Sequence, residues 1–437
     1  MKQLKCGAAQ RIVTPALGLE IPGYFGGRVA TGVKDDLYTQ AVVLDDGKKL
    51  VAIVSSDIID YKSTLTHSVR RKAKAALGLD IDIMMAATHT HTGMPTNQVE
   101  FDAKTDAKTI RNLIDKTVEC IEEAYRTRVP VKIGYGEGEE KRISFCRNYF
   151  LSDGTIKTNP GAKRAHMIVK PVSKIDYTVA VMRFDDANGK TVAQMVNFAC
   201  HPDTVGGHEY CADYPGEMRR ILKENYGDDC VVLFLNGCAG DINHIDASIY
   251  LKNPEYKYPK DHYKWMGQCL AETVLSVNQN MKFDVEGELD CLSKTFRQKR
   301  RQPTAEEAAW ATDGVTHLED FSVSDAIYAK EIYSLVVKPR YYNNVEIQAI
   351  RIGDCAVVSL PGEIFADVGF AVKENSPFKR NMVVELGNGT NGYIVTEPCF
   401  SGGVYEAKLS MDNACLPTEV AGRMADVAGE LLEKLAK

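Results

Sequence analysis

Short apolar runs that end abruptly in polar residues recur along the chain, with amphipathic stretches between them. Residues 40–44 and 50–55 are two such runs on either side of Asp45-Asp46-Gly47, which predicts a β-hairpin with an Asp-Gly turn. The second run ends in Ser55-Ser56-Asp57. Residues 64–76 have helical spacing closed by Leu77-Gly78, and 81–87 is a buried apolar run ending in Thr88-His89-Thr90-His91-Thr92-Gly93. A helix is expected at about 108–128, and strands at 179–184, 192–199 and 231–235 with a turn at 186–189. From 292 to 340 the character becomes charged and helical, and Pro303-Thr304 ahead of Glu306 and Glu307 marks a helix start. Strands return at 345–352 and 356–360, and the last segment, about 418–435, reads as helix. This alternation predicts an α/β fold, a mixed sheet flanked by helices, in a single large domain spanning 1–437 with a helical insertion at about 292–340. No internal repeat is legible.

Composition narrows the class. With 44% hydrophobic and 26% charged residues the chain can bury a sizeable core. A net charge of −6 argues against a nucleic-acid footprint, and the one basic run, Arg297-Gln298-Lys299-Arg300-Arg301, reads as a solvated face. No stretch approaches the length of a bilayer span, so no membrane insertion is expected. The opening MKQLKCGAAQRIVTP lacks an apolar signal core, which makes a cytoplasmic location the expectation. The 12 cysteines contain no Cys-x-x-Cys pair and are expected to be free, buried thiols, Cys200 and Cys211 included.

The unusual polar residues gather just past the strands, where α/β proteins collect ligands. His89 and His91, two apart in what reads as extended chain, would face one side and form a metal half-site; a pair of structural histidines reads equally well. His201, directly after a strand in Asn197-Phe198-Ala199-Cys200-His201-Pro202, is by itself more often a satisfied histidine than a ligand, but a second strand-end histidine shifts the balance toward metal. Cys211-Ala212-Asp213-Tyr214-Pro215-Gly216 precedes a helix. The run 231–235 enters a loop holding Asn236, Gly237, Gly240, Asp241 and Asn243, whose glycines would let backbone amides approach a ligand or serve a tight turn. Glu363, in Leu360-Pro361-Gly362-Glu363, either caps a helix or completes a His/His/Glu zinc set.

Taken in order, these motifs resemble the neutral, non-lysosomal ceramidase family, and most of all its short bacterial members that consist of the catalytic domain alone. The resemblance runs from 12–24 to Tyr405. It implies one zinc ion per chain, held by His89, His201, Glu363 and Tyr405, the last in Gly402-Gly403-Val404-Tyr405-Glu406-Ala407. It also places His91 beside the metal, makes Tyr393 a second active-site tyrosine, and makes Arg147, in Ser144-Phe145-Cys146-Arg147-Asn148, a substrate-facing arginine. The chain departs from the family at Asn243, which stands where ceramidases carry a serine, and it stops soon after Tyr405, short of their immunoglobulin-like domain.

The motifs and the resemblance together imply a zinc-dependent hydrolase that cleaves an amide bond of a small soluble N-acyl compound, with metal-bound water as the attacker. His91 or Asp213 would take the proton, and Tyr393 and Arg147 would stabilise the oxyanion or hold the substrate. Asn236, Asp241 and Asn243 would line the substrate loop. Three other readings use the same residues. They are an esterase or deacetylase, a phosphoester or lactone hydrolase, and a catalytically silent ligand-binding protein.

Overall fold

The computed structural model describes residues 4–96 and 105–437, and its strands carry apolar residues on both faces for a reason visible in their packing. Nine strands form one mixed sheet: β1 (Lys5–Ile12), β2 (Tyr38–Asp45), β3 (Leu50–Ser56), β4 (Asp82–Ala87), β5 (Val129–Glu139), β6 (Thr178–Asp186), β7 (Thr191–Phe198), β8 (Val231–Asn236) and β9 (Lys282–Val285). Their order is β8-β7-β6-β5-β1-β2-β3-β4, with β9 also on β5. A second sheet holds β10 (Leu289–Lys299), β11 (Tyr342–Ile352), β12 (Cys355–Ser359) and β13 (Arg380–Val384). The inner faces of both sheets meet in one core, where Leu44, Ile53, Met84, Met182, Leu233, Ile350 and Met382 are buried together. Helices cover the outer faces, so the strands read as continuous apolar runs.

The structure contains a repeat that the sequence hides. Helices α1 (Ser63–Leu77) and α2 (Ala107–Arg126), α3 (Asp213–Tyr226) and α4 (His262–Gln279) follow the strands at fixed places. So do α7 (Ala366–Glu374) and α8 (Glu419–Leu435), while α5 (Ala305–Thr316) and α6 (Val323–Val337) are inserted between β10 and β11. Three times the chain runs through three antiparallel strands, a helix, a strand parallel to the third, and a second helix. The units are β1-β2-β3-α1-β4-α2, β5-β6-β7-α3-β8-α4 and β10-β11-β12-α7-β13-α8. What is repeated is topology and apolar pattern, without a shared motif, which is why no sequence period shows.

Local signals explain most boundaries. Gly47 takes φ 85° in the β2–β3 turn, where the Asp45 and Asp46 carboxylates accept the N–H groups of Gly47, Lys48 and Lys49. Gly78 ends α1 in the left-handed conformation, and Thr304 and Glu307 form the capping box that starts α5. One expectation is corrected. The charged stretch from 292 begins as strand, because Leu289–Lys299 alternates along β11 over eleven residue pairs; the helices of the third unit's insert are α5 and α6. All 12 cysteines are free and buried, as expected.

Candidate metal centre

His89, His201 and Glu363 come from three different units and meet at the ends of their strands. His89 follows β4, and its ring is clamped at the back because Nδ1 donates to the Ile59 carbonyl at 2.7 Å. His201 follows β7 and its Nδ1 donates to the Ala239 carbonyl at 3.2 Å. With both Nδ1 atoms carrying the proton, the two Nε2 atoms present lone pairs, yet they stand 3.0 Å apart. Two acceptors that close repel unless a proton or a metal cation lies between them. His91 Nε2 is 3.3 Å from His89 Nε2, and Glu363 Oε2 lies 3.3 Å from His89 Nε2 and 3.4 Å from His201 Nε2.

These separations test the fit of a metal. Four ligands about 2.0–2.1 Å from a tetrahedral ion lie about 3.3–3.4 Å from one another, and the separations here run from 3.0 to 3.4 Å. The Glu363 Oε2 atom is buried without a hydrogen-bond donor, as is Nδ1 of His91. The ligand nitrogens of His89, His91 and His201 lie within 4.8 Å of one another, all three residues buried. The residues therefore fit a divalent ion of the zinc type.

Electrostatics agree. Burial alone would lower the His89 pKa, but the Glu363 carboxylate outweighs it and lifts it to about 9. Burial, reinforced by His89, takes His91 down to about 3 and pushes His201 well below its usual range. Glu363, which burial would raise, is held at about 2, first by His89 and also by His201 and the Tyr393 hydroxyl.

The His-x-His segment is not extended, contrary to the simplest reading of its spacing. His89 has φ +70°, a strained turn, and the two rings meet edge to face at 4.9 Å. The main chain there is fixed by His89 N–H donating to Ile58 and His91 N–H donating to Pro202. Against His91 lies the segment between β1 and β2, residues 13–37. Gly23 passes so close that a Cβ there would sit 2.8 Å from the His91 ring, Tyr24 packs on it at 5.1 Å, and Arg28 donates to its carbonyl at 2.7 Å.

Around Glu363 the chain pairs Glu363–Ile364 in parallel with Tyr393–Ile394, so Tyr393 stands beside the carboxylate. Its ring is stacked on His201 at 6.5 Å, and Tyr405 packs edge-on against it at 5.9 Å. Arg147 lies 5.1 Å over the Tyr393 ring, pairs with the buried Glu406 at 2.7 Å and donates to the Gly240 carbonyl. Arg147, Tyr393 and Tyr405 are thus brought to the site, with Tyr405 one ring further out than the histidine triad.

The other expected residues serve the scaffold. Asp213, at φ +56°, accepts the N–H groups of Thr204, Val205 and Tyr214, and burial raises its pKa to about 6. Asn236 donates to Glu385, Asp241 accepts the Ala366 N–H, and Asn243 is spent between Asn159 and the Ile245 N–H. The loop glycines allow close packing: a Cβ on Gly240 would sit 2.6 Å from the Glu363 carbonyl oxygen. Two buried carboxylates that sequence reasoning passed over, Glu385 and Glu406, stand directly behind the site. The only hint of them is an acidic residue immediately after an apolar strand, Val383-Val384-Glu385, and one next to the expected ligand Tyr405.

A cavity of about 360 Å³ opens onto Glu363. Its lining combines the charged Asp60, Lys62 and Asp412, the α6 residues Ile327, Lys330, Glu331 and Ser334, and Met411, and most of the exposed wall surface is apolar. The helical insert thus lines the approach. Among the described residues, no helix is long and apolar enough to cross a membrane.

Comparison with known proteins agrees with this arrangement. The structure of a neutral ceramidase from Pseudomonas aeruginosa superposes with a TM-score of 0.77 at 17% identity, covering 100% of this chain and 75% of that one. A structure described as ceramidase complexed with C2 gives the same TM-score and identity, covering 76% of its chain. Likeness at that identity speaks for the fold. Residues 6–211, which carry His89, His91 and His201, match the model of the neutral/alkaline non-lysosomal ceramidase N-terminal region. Residues 6–211 are thus similar to the N-terminal region of neutral/alkaline non-lysosomal ceramidases, and the chain as a whole shares the fold of the two ceramidase structures.

Proposed function

We propose that this protein is a zinc-dependent amidohydrolase that cleaves the N-acyl bond of a small, water-soluble compound. The observation that carries the reading is the pair of Nδ1-anchored histidines whose Nε2 lone pairs face each other at 3.0 Å, with the unpartnered oxygen of Glu363 beside both. His89, His201, Glu363 and Tyr405 would hold the ion, with His91 beside it. A bound divalent ion would supply a Lewis acid and an acidified water at neutral pH. His91, kept neutral by burial, is placed to accept a proton and return it to the leaving amine. Tyr393 offers its hydroxyl next to Glu363, where charge on a substrate oxygen would develop. Arg147 holds the Tyr393 ring in place from behind.

The size of the cavity favours a small substrate over a membrane ceramide. The cavity at Glu363 holds about 360 Å³, at the low end for drug-sized ligands, with charged side chains around a wall surface that is mostly apolar. Asn243 is a poor nucleophile and is engaged at both ends of its amide, so no covalent acyl-enzyme at this position is expected. The test is a panel of N-acyl amino acids, N-acetylated amines, acyl esters, phosphoesters and a short-chain ceramide, each with and without a chelator. Chelator-sensitive release of amine from a soluble amide supports the reading. Turnover of ceramide alone, or of phosphoesters alone, would overturn the substrate assignment.

A further inference from the structure

We propose that Glu385 is a positioning residue that sets two metal ligands from behind, through the backbone, without touching the metal. The inference rests on the zinc reading of the site. Glu385 follows β13 and is fully buried. Its Oε2 accepts two N–H groups, from Ala239 at 3.1 Å and from Ile364 at 2.8 Å, while Oε1 accepts the Asn236 side-chain amide at 2.9 Å. Ala239 is the residue whose carbonyl fixes the His201 ring, and Ile364 is the peptide neighbour of Glu363. One carboxylate oxygen therefore ties the backstop of His201, in the second unit, to the backbone of Glu363, in the third.

The segment after Glu385 extends the tie to the first unit. Leu386 N–H donates to Gly362, and Asn388 exchanges hydrogen bonds with Met85 on the strand leading to His89, at 2.7 and 3.0 Å. Leu386 and Asn388 hold φ values of +51° and +62°, and a Cβ on Gly387 would lie 2.4 Å from Ser359. Strain of this kind persists where the surroundings over-determine the backbone. The three ligand-bearing loops share one brace, and Glu385 is its polar centre.

A merely structural carboxylate would affect melting and leave the metal site alone. The distinguishing measurement is zinc affinity of metal-stripped protein, by competition with a chromophoric chelator, alongside circular dichroism. Glu385→Gln keeps an oxygen for Ala239 and Ile364 and can turn its amide to Asn236, whose Oδ1 is unpartnered. Glu385→Leu keeps the bulk and removes every acceptor. Glu385→Gln should bind zinc within about threefold of wild type and Glu385→Leu about 10–100-fold more weakly, the range seen when a group that orients a metal's ligands is lost. If Glu385→Leu does not fold, Glu385→Asp, which withdraws the carboxylate by about 1.5 Å, should show the same loss with the fold kept. Wild-type affinity in Glu385→Leu, or equal losses in the Gln and Leu variants, would overturn the proposal alone. Wild-type protein that takes up no zinc would overturn the zinc reading, and the proposal with it.

Discussion

Arg147→Met should destabilise the protein heavily, whatever it does to turnover. The Arg147 and Glu406 side chains are 5% and 0% exposed and form an ion pair at 2.7 Å. With the arginine gone, Glu406 keeps only the Thr158 hydroxyl at 2.8 Å and the Asn148 amide at 3.4 Å, and its charge is left buried. Breaking a buried pair by removing one partner costs about 3–5 kcal/mol. Loss of the cation over Tyr393 adds about 0.5–2 kcal/mol. Arg147→Met/Glu406→Gln removes the stranded charge and should recover most of the deficit, giving a strongly non-additive cycle. The assay is urea unfolding at pH 7 of metal-free protein, comparing midpoints at equal slope. A single variant within about 1 kcal/mol of wild type, or a double variant less stable than the single, would refute the assignment of Arg147 as a braced structural cation.

In metal-free protein His89 is protonated at pH 7, since its pKa stands at about 9, so zinc uptake should release about one proton per chain; dye-monitored titration in weak buffer with no release would contradict this. The same pair sets a pH window for the metal-free fold. Glu363, lowered from 4.5 to about 2, stabilises above 4.5 and loses this as pH falls toward 2, while His89, raised from 6.5 to about 9, stabilises below 6.5 and loses this as pH rises through 9. The contribution of the pair should therefore be largest between about 4.5 and 6.5, and it is read as the difference between wild type and Glu363→Gln in a pH series of thermal melts. Gly23→Ala should cost about 1–2 kcal/mol at φ +103° and push the His91 ring aside, weakening zinc binding; unchanged affinity would show that this loop does not hold His91. Asn243→Ser should trap no acyl-enzyme under rapid quench with a soluble amide, and a burst of covalent product would contradict the scaffold role of Asn243.

The hairpin at Asp45–Gly47, the helix ends at Gly78 and Thr304, and most strands were legible because turn chemistry and apolar runs are local. The three-unit architecture was not, since what repeats is strand order and parallel pairing between distant segments. The stretch from 292 misled because one face of β10 is solvent-exposed and polar, with Ser293, Thr295, Arg297 and Lys299 along it, which mimics a polar helix. His89, His91, His201 and Glu363 stood out as reactive residue types past strand ends. Glu385 did not, because its partners Asn236, Ala239 and Ile364 lie more than 20 residues away and only the fold brings them together. Asp213 misled in the opposite direction, since its motif is distinctive but its carboxylate is consumed by three backbone amides.

The central claim is that facing lone pairs on His89 and His201, with Glu363, make a metal site. Elemental analysis of tag-free protein, wild type beside His201→Ala, tests it most directly. About one zinc per chain in wild type, lost in the variant at unchanged fold, is the predicted result. Metal-free wild type after equilibration with zinc, or equal zinc in both proteins, would contradict the claim.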